Sequence, residues 1–256
     1  MEVNSPEDAD LVIQKLGSDM GIHRNPRKGT LDAPDRILEG LELDRRVLVD
    51  EVFPDEFDLE ETHRRIAGNT AELLEAGKPV LSLGGDHSVS FPVVKAVKER
   101  NPELELVWLD AHADLKEKVG GHVSHDVVVR ELLDHGFSED EIWIVGVTRL
   151  DHDEEEFLEG REVDLYRADE LDAFLEDFDA ERYYLSLDID VLREADAPGT
   201  GYPDGELEME DLETFLGEME PLHADLVEVA PPFDRENRTV RNARTLVRLL
   251  AESLEK

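Results

Sequence analysis

The sequence predicts an α/β fold: a three-layer α/β/α sandwich around a mostly parallel sheet. Three observations predict it. Short apolar runs recur along the chain, amphipathic helical patterns separate them, and several runs end abruptly in acidic or imidazole side chains. Alternating strand and helix signals argue for a parallel sheet with helices on both faces. At 256 residues the chain can build one large domain with a full core, and no Pro/Gly/Ser-rich linker or internal repeat divides it. A single domain over 1–256 is expected.

Strands are expected at 46–53, 79–83, 104–109, 141–147, 183–187 and 225–229. These are apolar runs of the kind a parallel sheet buries on both faces. The segment 59–76 is amphipathic and is stopped by Gly77 and Pro79. Further helices are expected at 88–100, 124–133, 169–178, 208–219 and 238–254. The first 45 residues carry weaker signals, with a short strand expected within 14–21.

Composition narrows the function classes. The formal net charge is −38, from 65 Asp plus Glu against 27 Lys plus Arg. The acids run along the whole chain, whereas attraction of a cationic ligand needs only a local cluster. The composition therefore points to a surface adapted to high salt, where screening removes the self-repulsion. Like charge argues against nucleic acid and anionic membranes as partners. No apolar run is long enough to span a bilayer, and the acidic N-terminus lacks the basic segment of a signal peptide. There is no cysteine, so any metal must be held by His, Asp and Glu.

Four strand ends carry the chemistry. Leu83 is followed by Gly84-Gly85-Asp86-His87-Ser88, and Leu109 by Asp110-Ala111-His112-Ala113-Asp114. Leu187 is followed by Asp188 and Asp190, and Glu228 sits between Val227 and Val229. The carboxyl edge of an open parallel sheet is where ligands bind. Residues i, i+2 and i+4 of an extended segment point the same way. Asp110, His112 and Asp114 are therefore expected to reach one site if the extended conformation continues. Asp188 and Asp190 share the i, i+2 relation, and His87 completes six donors. Four carboxylates packed together cannot all stay ionised without a cation. Two divalent cations about 3.5–4 Å apart would neutralise them. Oxygen-rich ligation with two histidines and no thiolate suits Mn²⁺ better than Zn²⁺.

With these residues in view, the chain resembles the ureohydrolase family: arginases, agmatinases and formimidoylglutamases. The resemblance rests on G-G-D-H-S (84–88), D-A-H-A-D (110–114), and S-L-D-I-D-V-L (186–192) followed by A-P-G-T-G (197–201). It implies an arginase-like sandwich with two Mn²⁺ per chain, whose bridging hydroxide attacks a guanidinium carbon. By the same resemblance, His87, Asp110, Asp114 and Asp188 hold one manganese. Asp110, His112, Asp188 and Asp190 hold the other, so Asp110 and Asp188 bridge. Ser124-His125 and Arg130 match the S-H-x-x-x-x-R segment of archaeal-type agmatinases, where the histidine shuttles protons to the leaving amine. His122 is its rival. Glu228 matches the family glutamate that pairs with the substrate guanidinium, and Thr200 is expected to line the pocket. Arg193-Glu194 and Ala230-Pro231 stand where the family commonly shows Asp-Pro and Asn-Pro.

The resemblance favours an agmatinase, which turns agmatine and water into putrescine and urea in cytoplasmic polyamine biosynthesis. The small polar residues with which arginases hold an α-carboxylate are missing after Asp114, where Leu115-Lys116-Glu117-Lys118-Val119 follows. Lys116 is the open point: a cation beside the site suits a carboxylate-bearing substrate such as formimidoylglutamate. A metal-binding homologue without this activity is the alternative of another class. A single-zinc deacetylase is disfavoured, because no His-His pair is present. The resemblance also implies a homo-oligomer, a trimer or hexamer.

Overall fold

The computed structural model describes residues 1–23 and 27–254. Its centre is one eight-stranded sheet in the order β2-β1-β3-β8-β7-β4-β5-β6, and every pairing is parallel. The strands are β1 (Leu11–Leu16), β2 (Val47–Glu51), β3 (Val80–Gly84), β4 (Glu105–Leu109), β5 (Ile142–Val147), β6 (Asp164–Arg167), β7 (Tyr183–Asp188) and β8 (His223–Val227). The six expected strands are all present. The antiparallel allowance in "mostly parallel" is not needed.

Helices cover both faces. On one lie α1 (Ala33–Leu38), α6 (Leu171–Asp177), α7 (Met209–Glu218) and α8 (Arg238–Ser253). On the other lie α2 (Leu59–Leu73), α3 (Ser90–Arg100), α4 (Val128–Asp134) and α5 (His152–Leu158). Strand alternation feeds two separate cores. Leu81 and Leu83 join Phe174, Phe215 and Leu246 on the first face. Val80, Leu106 and Trp108 join Ile66, Val93 and Leu132 on the second. Helix α8 shows why it forms: Val240, Ala243, Val247 and Leu250 recur at three- and four-residue spacing and are buried. Truncating such a buried leucine to alanine costs about 2–5 kcal/mol.

Several boundaries depart from the sequence expectation. The first strand is Leu11–Leu16, which begins before the 14–21 window and overlaps it only at 14–16. Its Gln14 is fully buried and donates to Asn69 and Thr70 at 2.7 and 2.9 Å, so a polar residue sits inside a central strand. The expected helix over 124–133 is a 3₁₀ turn at His125–Val127 leading into the short α4. Segment 59–76 is α2 followed by a 3₁₀ turn, and Gly77 ends it at φ +64°, where a side chain would be strained. Among the described residues no helix is long and apolar enough to cross a membrane.

Candidate metal centre

Strands β3, β8, β7 and β4 are neighbours in the middle of the sheet. Leu83, Leu226, Leu187 and Leu109 lie in register across them, so the four strands end at one level. Each end releases a candidate residue. His87 opens a 3₁₀ turn after β3, and Asp86 caps that turn by accepting from the Ser88 N–H. Asp110 follows β4, Asp188 closes β7, and Glu228 follows β8.

The extended conformation does not continue past the strands. Residues 110–112 bend, and Asp114 adopts φ +50°. Asp188 accepts from the Asp190 N–H at 2.7 Å and so caps a 3₁₀ turn, Ile189–Val191. Alternation therefore does not aim these side chains; tight turns do. Glu228 lies one residue beyond β8 at φ +62°, not within the strand as expected. Non-glycine residues in the left-handed region persist where surrounding contacts fix them, and such strain clusters at functional sites.

The turns bring the donors together. The Asp110 carboxylate faces two ways. Its Oδ2 lies 3.0 Å from His87 Nδ1, and its Oδ1 lies 3.3 Å from His112 Nδ1. Around it two trios could each hold a cation: His87, Asp110 and Asp114, and Asp110, His112 and Asp190. Asp188 joins neither trio, but its Oδ2 stands 3.2 Å from His87 Nδ1. Asp190 Oδ2 is 3.2 Å from His112 Nδ1.

His87 Nδ1 is buried, has no hydrogen-bond partner and is ringed by three carboxylates, while Asp190 Oδ1 is buried and unpartnered. Orphaned donor atoms among converging acids are what a cation site leaves behind. Behind His87 the geometry is closed. Nε2 lies 2.8 Å from Ser186 Oγ, Ser186 donates to Asp225 at 2.7 Å, and Tyr184 donates to the other Asp225 oxygen. Trp108 stacks on the imidazole with ring centroids 3.8 Å apart. This clamp leaves Nδ1 facing the acids, the orientation a ligating histidine needs.

Electrostatics agree. Burial and the neighbouring Asp110 charge push the Asp114 carboxyl well up. Burial, Asp190 and Asp110 do the same to Asp188. Burial, reinforced by Asp110 against the pull of His112, raises Asp190 to about 7. Asp110 is held low: burial opposes ionisation, but the His112 and His87 imidazoles facing its two oxygens outweigh it. Burial works against a charged His87, yet Asp110 raises it to about 9. These shifts favour protonated carboxyls and a charged His87, the compensation that divalent cations would supply instead.

The donors form the floor of a cleft whose walls include Lys116, His125, Asp126, Arg149, Asp151, Glu154 and Tyr202. His125 is buried, with Nδ1 3.4 Å from Glu228 Oε1. Burial lowers its pKa, and Glu228 more than reverses this, giving a net rise. The same Glu228 oxygen accepts from the His87 N–H at 2.9 Å, so one carboxylate ties the floor to His125. His122 is exposed, packs near His23 and does not line the cleft. Lys116 lines the cleft but pairs with Asp151 at 2.7 Å. Thr200 is fully buried, its carbonyl accepts from Arg27, and it is not among the described cleft-lining residues.

The Arginase family matches residues 10–251. The chain belongs to the arginase family of ureohydrolases. It is similar to an agmatinase of Bacillus anthracis, 34% identical over 188 residues, which cover 70% of this chain and 64% of that protein. An agmatinase of Bacillus subtilis (strain 168) is 30% identical over 94% of this chain and 91% of its own. An N(1)-aminopropylagmatine ureohydrolase of Thermus thermophilus is 37% identical over 67% of this chain and 62% of its own. Among solved structures, the agmatine ureohydrolase of Thermoplasma volcanium superimposes with a TM-score of 0.88 at 25% identity, covering 99% of this chain and 92% of that one.

Within this ureohydrolase fold, the cleft walls hold residues that sequence patterns did not single out. Tyr202 stacks near His125 at 5.9 Å and meets His112 edge-on at 5.6 Å. It directly follows the P-G-T-G segment, which was the available signal. Arg149 and Asp151 lie on the loop after β5, and Asp204 lies beyond Tyr202, with no periodic pattern to mark them.

Proposed function

We propose that this chain hydrolyses a guanidino C–N bond at a binuclear manganese centre, with agmatine as substrate and putrescine and urea as products. The observation that supports it most is Asp110, which turns one carboxylate oxygen to each imidazole of a six-residue donor set. In this reading His87, Asp110, Asp114 and Asp188 hold one cation, and Asp110, His112, Asp188 and Asp190 hold the other. When bound, the two cations supply Lewis acidity and lower the pKa of water between them.

The chain's own residues do the rest. Glu228 pairs with the guanidinium by a charge-assisted hydrogen bond. His125, oriented by the Glu228 carboxylate, moves a proton from its imidazole to the leaving amine. The cleft mouth supports a substrate with a cationic far end. Lys116 is paired with Asp151, Arg149 faces Asp204, and Asp126 adds a further acid to the cleft wall. A carboxylate-bearing substrate would have to share Lys116 with Asp151. The same reading makes the enzyme cytoplasmic, salt-adapted, part of polyamine synthesis, and a homo-oligomer of three or six chains, each a single domain.

The test is urea release from agmatine, arginine and N(1)-aminopropylagmatine, with formamide release from formimidoylglutamate alongside, by Mn²⁺-loaded protein. Agmatine should be turned over with the highest kcat/KM. Formamide from formimidoylglutamate without urea from agmatine would overturn the substrate assignment.

A further inference from the structure

The two imidazoles of the donor set are braced differently. His87 turns its outer nitrogen to the buried Ser186–Asp225 pair. His112 turns Nδ1 inward to Asp110 and Asp190, so a ligating His112 carries its proton on Nε2 and needs an acceptor there. The Asp204 Oδ1 atom lies 3.4 Å from His112 Nε2. It is buried and has no formed hydrogen bond. Its sister oxygen lies 3.4 Å from Arg149 Nη2.

The backbone holds Asp204 in place. Leu207 N–H donates to Val191 O at 3.1 Å, and Arg193 N–H donates to Leu207 O at 2.9 Å, so the segment after Asp204 is pinned to the turn that bears Asp190. Gly205 lets it come this close: a Cβ there would lie 2.1 Å from Asp190 O and 2.4 Å from the Val191 carbonyl carbon. On the other side, Thr148 binds Ala111 O through its N–H at 3.0 Å and its hydroxyl at 3.2 Å. That fixes the strand end from which Arg149 reaches Asp204.

We propose that Asp204 is a positioning residue for His112, holding its imidazole from outside and thereby setting the affinity of one of the two cation positions. This rests on the binuclear reading given above. Arg149, largely exposed, is a minor contributor, because an exposed ion pair is weak. Asp204 acts on the cation held by Asp110, His112 and Asp190; the position around His87 has its own brace and is independent of Asp204.

The experiment is a chelator-competition titration of the metal-free full-length chain with Mn²⁺, followed by electron paramagnetic resonance. Wild type should bind two Mn²⁺ and show an exchange-coupled pair. In Asp204→Ala one of the two should bind roughly 10–100-fold more weakly, the loss typical of removing an outer partner of a metal-bound histidine. The other affinity should be unchanged, and a single-ion signal should appear at intermediate loading. Asp204→Asn, which keeps an acceptor oxygen but loses the charge, should fall between. Arg149→Ala should leave both affinities close to wild type. Wild-type affinities in Asp204→Ala and Asp204→Asn, with only a raised KM for agmatine, would overturn the proposal and make Asp204 a substrate contact. Equal weakening of both positions would also overturn it. Fewer than two Mn²⁺ on wild type would instead refute the binuclear reading.

Discussion

Asp188→Asn separates the charge of the donor set from its architecture. Asp188 Oδ1 accepts from the Asp190 N–H, a bond that an asparagine carbonyl can keep. Its Oδ2 stands among buried groups, 3.2 Å from His87 Nδ1, and burial with Asp190 and Asp110 pushes its carboxyl far up. In metal-free protein burial and the neighbouring carboxylates thus favour the neutral form of Asp188, and a neutral asparagine should cost little. Metal-free wild type and Asp188→Asn should therefore unfold at similar temperatures. With Mn²⁺ they should part. Each cation at 100 times its dissociation constant stabilises the fold by about 2.7 kcal/mol, so two give about 5 kcal/mol. For a domain of this size that is roughly 10–20 °C in melting temperature. The variant should lose most of this gain, because its missing oxygen serves both positions. The assay is thermal unfolding with chelator and with Mn²⁺. An Asp188→Asn protein that keeps the full metal-induced rise would refute the bridging role. One that is strongly destabilised without metal would refute the claim that burial favours the neutral form of Asp188.

Other expectations follow from single contacts. His125→Asn should lower kcat about 10²–10⁴-fold with manganese content unchanged, whereas His122→Asn should leave kcat as it is; a loss in His122→Asn and none in His125→Asn in steady-state assays would reverse the choice between them. Glu228→Gln should weaken capture of the guanidinium by roughly 10–100-fold in kcat/KM, since a charge-assisted bond becomes a neutral one. His223 accepts from the Val80 N–H, and burial lowers its pKa from 6.5 to about 4. The neutral form is favoured in the fold, so its stabilisation is complete above pH 6.5 and is lost as pH falls toward 4. That window is worth about 3 kcal/mol, and His223→Gln should flatten it in urea unfolding followed by circular dichroism. Finally, the −38 charge should make the melting temperature rise steadily with KCl, and a salt-independent melt would remove the salt-adapted reading.

Much of this architecture is legible in the sequence, for identifiable reasons. Buried central strands such as Leu106 to Leu109 leave unbroken apolar runs, and their ends stand out because Asp110 and Asp188 interrupt them so sharply. Strand β1 is hard to place because Gln14 and Lys15 break its apolar pattern. Gln14 is satisfied by Asn69 and Thr70, more than 50 residues away, and Lys15 by Asp35 and Glu51 at 2.6 and 3.0 Å. Strand β6 is four half-buried residues at the sheet edge, and α5 is mostly acidic, so neither carries a strong period. In the site, residue types announce the donors, but the geometry that aims them does not follow from alternation. It comes from side-chain caps, as at Asp188 and Asp86, and from left-handed backbone at Asp114 and Glu228. Partners such as Asp204, Arg149 and Asp151 are not legible, because the loops after β7 and β5 bring them to the site.

The most direct measurement is anomalous diffraction at the manganese edge from crystals grown with Mn²⁺. Two peaks about 3.5–4 Å apart are expected, with one Asp110 oxygen on each and Asp188 between them. A single peak, or two peaks that leave either Asp110 oxygen unliganded, would contradict the binuclear centre.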